Sequence, residues 1–552
     1  MRDLLVTLIV MGSLPIIFTR PHVGILMWAW IGYMNPHRMS YGFAFSFPFA
    51  ALVGMVTLIA LFTASKERRP MPMGPLTVMM LIWVLWMNVT TVFGLDSDVM
   101  WGYKKVMKIQ LMNFVTMMLV WGKDKIIQLV WVIVGSISFF GVKGGIFTIA
   151  SAGGALVWGP PGTDIQGNNE LAVALIACVP LMMFLRTQLN NKWLKMAMLG
   201  AVGLCAISVL GSFSRGAFLA ILGMLFYMWL KLPRKFIGVI ILIIAIPTAI
   251  TMMPEKYTQR METIESYEED GSAMGRINAW WYAYNLANNR IWGAGFGGFT
   301  PELFLIYAPD PEDHHDAHSV YFEVLGEQGW IGLIIFMSLP ALAWVYCMWI
   351  RKHAKDREDL KWASDLAAMI QVSMFGFGIG GAFLGLAYWD FIYHIMAIVV
   401  VTRDHMERLF REEAEKGVAG ANGRQPARGE PEPGADPLPD TGQPTGPGFG
   451  PGSGPGFGPK PAPVMAREEK ETMGVNSKVA GAALPPKKAK AKTAEEASDS
   501  QAAEAVSDAS APAQRQPDRP QLPPKKNARE PGPGPMVPSA PLSALPPRFR
   551  KS

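Results

Sequence analysis

Up to residue 411 the chain alternates long apolar runs with short charged or Gly/Pro-containing breaks. A helix that crosses a bilayer needs about 20 mostly apolar residues. Thirteen runs have that character: 4–18, 23–34, 45–62, 75–93, 109–121, 126–140, 171–185, 193–210, 217–230, 236–252, 330–350, 362–386 and 391–401. The first two are short and interrupted by Pro15 and Pro21, so they form two spans or one bent hairpin. The pattern predicts an all-α polytopic membrane protein with twelve or thirteen transmembrane helices. The apolar start resembles a signal peptide, but no small-x-small cleavage site follows it. Thr19-Arg20-Pro21 leads straight into more apolar sequence, so the start reads as uncleaved.

Four parts follow from the same pattern. Residues 1–252 hold the N-terminal spans, 253–329 form the longest hydrophilic stretch between spans, 330–411 hold the last spans, and 412–552 form a tail. All 18 Trp lie at or before Trp389, whereas 26 of the 43 Pro fall in residues 412–552. With its Gly-Pro repeats and two Pro-Pro-Lys-Lys motifs, the tail cannot bury enough apolar surface to fold and reads as disordered. Lysine and arginine bias in the short loops sets orientation. Arg351, Lys352, Lys355, Arg357 and Lys361 in one loop, Lys231, Arg234 and Lys235 in another, and Lys66, Arg68 and Arg69 in a third all come out cytoplasmic under one alternating assignment. The tail is then cytoplasmic too. Residues 253–329 lie outside, together with the turn Gly211 to Gly216. Lys104, Lys105 and Lys108 break the rule by falling outside, either on an interfacial helix or at an anion site.

The net charge of +6 is spread over both parts instead of forming a basic face with aromatics, which argues against nucleic acid as a partner. Membrane lipids are the expected surroundings. Cys178, Cys205 and Cys347 each sit alone in an apolar run, which excludes a zinc ribbon or a thioredoxin-like pair.

Three residues on the outer side carry candidate chemistry. Arg215, in Ser212-Phe-Ser-Arg-Gly-Ala217, stands at a helix start among small residues that leave room for a phosphate; snorkelling to lipid headgroups is the alternative. Arg276 opens a helical pattern of aromatics and can serve either a ligand or the acidic run Glu262, Glu265, Glu268, Glu269 and Asp270. The glycines from Gly293 to Gly298 follow no strand and open no helix, so they read as a tight turn near a ligand, not a dinucleotide fingerprint. His318 precedes a helix that leads into a span. Histidine, with an ordinary pKa of about 6.5, is a ready general base, and a helix start would hold it better than a loop holds His314 or His315. A structural role for His318 is the alternative. A metal reading of the three histidines lacks a third fixed ligand.

The order of these elements resembles the O-antigen ligase and polymerase superfamily of bacterial envelope glycosyltransferases. Many spans come first, then a Ser-x-Ser-Arg-Gly turn at Ser212 to Gly216, then an outer loop with Arg276, the glycine-rich turn and Ala-His318-Ser-x-Tyr-x-x-x-Leu-x-x-x-Gly. The long N-terminal half is most similar to the O-glycosylation ligases associated with exosortase systems. The resemblance covers residues 1–410. It implies a ligase or polymerase of the bacterial inner membrane that moves a glycan, on the periplasmic side, from an undecaprenyl diphosphate carrier to a hydroxyl of a glycan, lipid or protein. No metal and no cofactor are expected. A diphosphate leaving group needs charge stabilisation, from a divalent ion or from forked donors; Arg215 and Arg276 fit the second option, and the acceptor hydroxyl needs a base, which His318 could be. Attack opposite the diphosphate would invert the anomeric centre. A transporter or flippase of a lipid-linked or anionic substrate would also use intramembrane arginines, but no internal repeat is visible. A membrane scaffold would not need the Arg/His constellation.

Overall fold

A computed structural model describes residues 1–64, 66–95, 99–154, 156–231 and 271–422; the expected span at 236–252, the acidic run at 262–270 and nearly all of the tail lie outside the described residues. Those that are described are helical, with no strand among them: α1 (Arg2–Thr19), α2 (His22–Met34), α3 (Phe49–Thr63), α4 (Pro75–Val92), α5 (Val99–Leu119), α6 (Lys123–Ala150), α7 (Asn168–Gln188), α8 (Lys192–Leu210), α9 (Arg215–Lys231), α10 (Gly271–Asn289), α11 (Pro301–Tyr307), α12 (Val320–His353), α13 (Lys361–Gly380) and α14 (Asp390–Asn422). Seven stretches are long and apolar enough to cross a membrane, and α3 and most of α9 are shorter apolar helices. Large apolar side chains such as Leu8, Met55, Phe62 and Leu194 stay exposed on this body, as lipid-facing residues do in a bundle where tails cover them.

Helix α7 lies deepest, with Leu171 to Cys178 buried almost without exception, between α6, α8 and α13. Packing in lipid gains little from apolar burial alone, so polar ties matter more. Ser373 Oγ on α13 donates to the Ala177 carbonyl at 2.6 Å, and Trp83 Nε1 on α4 to Tyr393 Oη on α14 at 3.2 Å.

The basic loops gather at one end. Lys125 Nζ meets Glu67 Oε2 at 3.0 Å, the Arg69 guanidinium lies 4.0 Å from the Trp121 ring centroid, and Leu76 N donates to Tyr346 Oη at 3.3 Å. At the same end Arg403 sits over Tyr346, and Arg357 pairs with Glu413 at 2.8 Å. The grouping predicted for the loops at 66–69 and 351–361 is therefore physical. Arg234 and Lys235 are not among the described residues.

Several boundaries differ from the hydropathy pattern: α6 runs on to Ala150, and α14 runs to Asn422, so the first residues of the expected tail are helical. Helix α5 begins at Val99, so Lys104, Lys105 and Lys108 lie on a helix, and Lys105 pairs with Asp164. The helix before residue 330 and the span after it, expected as separate elements, meet at a kink at the non-helical Gly329 and are labelled together as α12. Helix α13 stops at Gly380 instead of running to residue 386, and residues 381–389 form a turn and loop before α14.

Candidate functional site

The end opposite the basic loops is organised around the bend in α12. Gly329 has φ 69 and ψ −176, a backbone only glycine adopts without strain, and this interrupts the helical hydrogen bonding. The carbonyls freed before the bend take donors from elsewhere. Ala294 N donates to Gly326 O at 2.9 Å, Gly295 N to Glu327 O at 2.8 Å, and Trp86 Nε1 to Gln328 O at 2.9 Å. The glycine-rich turn thus completes a broken helix. Gly293, at φ 65, lies so close to the α12 backbone that a Cβ would stand 2.6 Å from Glu327 O.

His318 sits one residue outside the α12 N-cap, Ser319, with φ 42, in the left-handed region that histidine tolerates better than most residues. Two contacts fix this turn. Trp280 Nε1 on α10 donates to the Ala317 carbonyl at 2.8 Å while its ring stacks on Phe322 at 4.9 Å. Asn278 Nδ2 donates to Asp310 O at 2.8 Å and to Asp313 O at 2.7 Å, holding the irregular segment against α10. Arg276 is one helical turn before Trp280, next to Gly275, whose Cα faces the His315 ring closely enough that a Cβ would stand 2.3 Å from it. The first half of α10, which carries Arg276, and the segment leading to His318 therefore share one interface. The buried Tyr282 hydroxyl donates to Gly298 O, and burial pushes its pKa well above the ordinary phenol range, so it keeps its proton.

Arg215 opens α9; its side chain lies outside what the structure describes. Its backbone position does not. A Cβ on Gly216 would stand 3.0 Å from Phe383 Cβ, and one on Gly381 would stand 3.2 Å from the Val320 side chain. The start of α9, the turn Gly381–Phe383 and the start of α12 are contiguous. The turn Gly211 to Ser214 is tied to the same end by Asn168 Nδ2, which donates to Ser212 O at 2.7 Å.

His314 and His315 are engaged elsewhere. His315 Nε2 lies 2.6 Å from Asp313 Oδ1, and the His314 ring meets Phe304 edge-on. Among the described residues no group of three or more His, Cys, Asp or Glu is placed to hold a metal ion.

Sequence reasoning passed over Glu323 and Glu327. Glu323 Oε2 accepts the Ala387 N–H at 3.1 Å, drawing the loop at 384–389 over the His318 turn, and Asp316 and Glu323 both approach Gly385. Glu327 Oε1 accepts the Gly297 N–H at 2.8 Å. Gln328 Nε2 donates to Tyr388 Oη at 3.1 Å, and its side-chain Oε1 accepts from Thr90 Oγ1. Two carboxylates at i and i+4 leading into an apolar run were the available signal, since buried ionisable groups in membrane helices are costly and retained for a purpose.

Among curated proteins none matches the chain. Residues 1–190 match a family of unknown function (DUF5935). Residues 200–337, which contain Arg215, Arg276 and His318, match the family described as O-Antigen ligase, and this segment is therefore similar to the O-antigen ligase superfamily.

Proposed function

We propose that the protein is a metal-independent, inverting glycosyltransferase that moves a glycan from undecaprenyl diphosphate to an acceptor hydroxyl on the periplasmic side of the inner membrane. The observation that supports this reading is the convergence, at one end of the bundle and within the segment similar to O-antigen ligases, of the start of α9, the first half of α10 and the His318 turn. In the reaction the acceptor oxygen forms a bond to the anomeric carbon from the face opposite the diphosphate while its proton passes to the His318 imidazole. The bond from the anomeric carbon to the diphosphate oxygen breaks, and its electron pair leaves with undecaprenyl diphosphate. Arg215 and Arg276 balance the charge that develops there, as preorganised forked donors do. The imidazole then releases its proton to water. An apolar cavity of about 440 Å³ begins at Val320 and Tyr321 and continues between α12, α13 and α14, which suits an isoprenoid chain attached to that diphosphate.

The test is transfer by purified protein from a lipid-linked glycan of known anomeric configuration, with glycan, lipid and protein acceptors offered in turn. Transfer with inversion, read by NMR of the product, is expected. Retention, or uptake of the intact lipid-linked substrate across vesicles without bond cleavage, would overturn the reading.

A further inference from the structure

A second polar cavity, of about 280 Å³, lies between the end of α2, the first half of α5, the α6–α7 loop and the start of α14. Its polar lining includes Asn35, Arg38, Lys105, Asp164 and Asp390, with Trp389 as an aromatic wall. Its walls are fixed. Asn35 ends α2 in the left-handed conformation, with φ 49, and its amide donates to Pro161 O at 2.6 Å, which holds the α6–α7 loop in place. Lys105 is paired with Asp164. Asp390 lies against Gly32, where a Cβ would stand 3.5 Å from its Oδ2, and among the described residues it has no ion pair.

Two cations face two carboxylates, so the cavity has no formal excess charge and is not an anion trap. A phosphate or carboxylate would meet Asp164 and Asp390. An apolar ligand would strand both polar sets, at a cost of a few kcal/mol per buried group. A neutral polyhydroxylated ring satisfies both. Its hydroxyl groups donate to Asp390, its oxygens accept from Arg38 and Asn35, and its C–H groups meet the edge of Trp389, whose ring stacks on Phe391 and Phe377. The volume falls just below the roughly 300–1,000 Å³ of pockets for drug-sized ligands, which suits a single pyranose.

Position identifies which sugar. Trp389 and Asp390 continue directly from the loop whose Ala387 N–H is bonded to Glu323, beside the His318 turn. Helices α9 and α10, which carry the two arginines, contribute nothing to this lining. The cavity is therefore joined to the His318 turn through the short stretch Ala387 to Asp390, and among the described residues its lining is separate from the helices that carry the arginines. We infer that it binds a neutral sugar residue of the acceptor, and that acceptor recognition is a task of the 1–190 segment. Its assignment to the acceptor rests on the glycan-transfer reading.

The experiment is saturation-transfer difference NMR of the full chain in nanodiscs with methyl glycosides of glucose, galactose, mannose and N-acetylglucosamine. At least one glycoside should bind the wild type, with affinity lowered about tenfold or more in Asp390→Asn and Arg38→Gln and unchanged in Trp281→Phe, at an exposed position away from the lining. Gly32→Val, which fills the space beside Asp390 without removing a charge, should weaken binding too and guards against loss of fold in the charge variants. Failure of all four glycosides to bind at about 100 mM would overturn the proposal. So would equal binding by the variants, or stronger competition from inorganic phosphate or glucuronate than from neutral sugars. Binding needs no turnover, so a chain that binds glycosides here but transfers nothing would refute the transferase reading and leave the sugar site standing.

Discussion

Trp280→Phe isolates the link between α10 and the proposed base. The indole does two things: its ring stacks on Phe322 with planes 7° apart, and its Nε1 donates to the Ala317 carbonyl at 2.8 Å. Phenylalanine keeps most of the stack and removes the donor. Ala317 is fully buried, so its carbonyl is left without that partner, at a cost of about 1–3 kcal/mol. That carbonyl belongs to the peptide that joins Ala317 to His318, and the strain relaxes by moving the turn. If the whole cost falls on the placement of the imidazole in the transition state, turnover drops about 5- to 150-fold. The arginines are untouched, so the KM for the lipid-linked donor should stay near wild type. Initial rates against donor and acceptor in nanodiscs measure both, with Trp281→Phe, at an exposed neighbouring position, as a control expected to be neutral. Wild-type turnover in Trp280→Phe, or a loss seen only in donor KM, would refute the positioning role.

Arg215→Lys and Arg276→Lys should each lose at least about tenfold in kcat/KM although charge is kept, because a point charge cannot reproduce a bidentate fork; full activity of both at normal expression would remove them from the site. Replacing His314 or His315 by Ala should cost far less than His318→Ala, which single-variant transfer rates will show. Single cysteines at positions 312 and 356, in a background without the three native cysteines, should respectively react with and resist an impermeant reagent in intact spheroplasts; the reverse pattern would invert the topology. Truncation after Asn422 should leave transfer intact. Truncation after Arg411 removes Glu413, the partner of Arg357, and should lower thermal stability without changing the chemistry, as unfolding curves and rates would report.

Hydropathy located most spans because lipid-facing helices must be apolar over their length, and it placed the Arg215 turn and the His318 segment at one end from the parity of basic loops. It failed where long-range hydrogen bonds decide the backbone. Leu384 to Leu386 read as membrane, yet Glu323 claims the Ala387 N–H and pulls that stretch into a loop. The lysines of α5 looked like a break because charge lowers hydropathy, whereas the helix runs through them with Lys105 paired to Asp164, 59 residues away. Gly329 was visible as a boundary. That it bends one helix, and that Ala294 and Gly295 serve the freed carbonyls, depended on a partner more than 30 residues upstream. Of the candidate site, Arg215, Arg276 and His318 stand out as candidates by order and spacing, but the buried carboxylates at 323 and 327 could not be told from surface charges without knowing what covers them.

The most direct test is transfer by purified wild-type protein in excess EDTA, run beside His318→Ala under the same conditions. Wild-type transfer should persist undiminished in chelator, while His318→Ala should lose it and still bind the lipid-linked donor. Loss with EDTA that one divalent ion restores, or an active His318→Ala enzyme, would contradict the proposed mechanism.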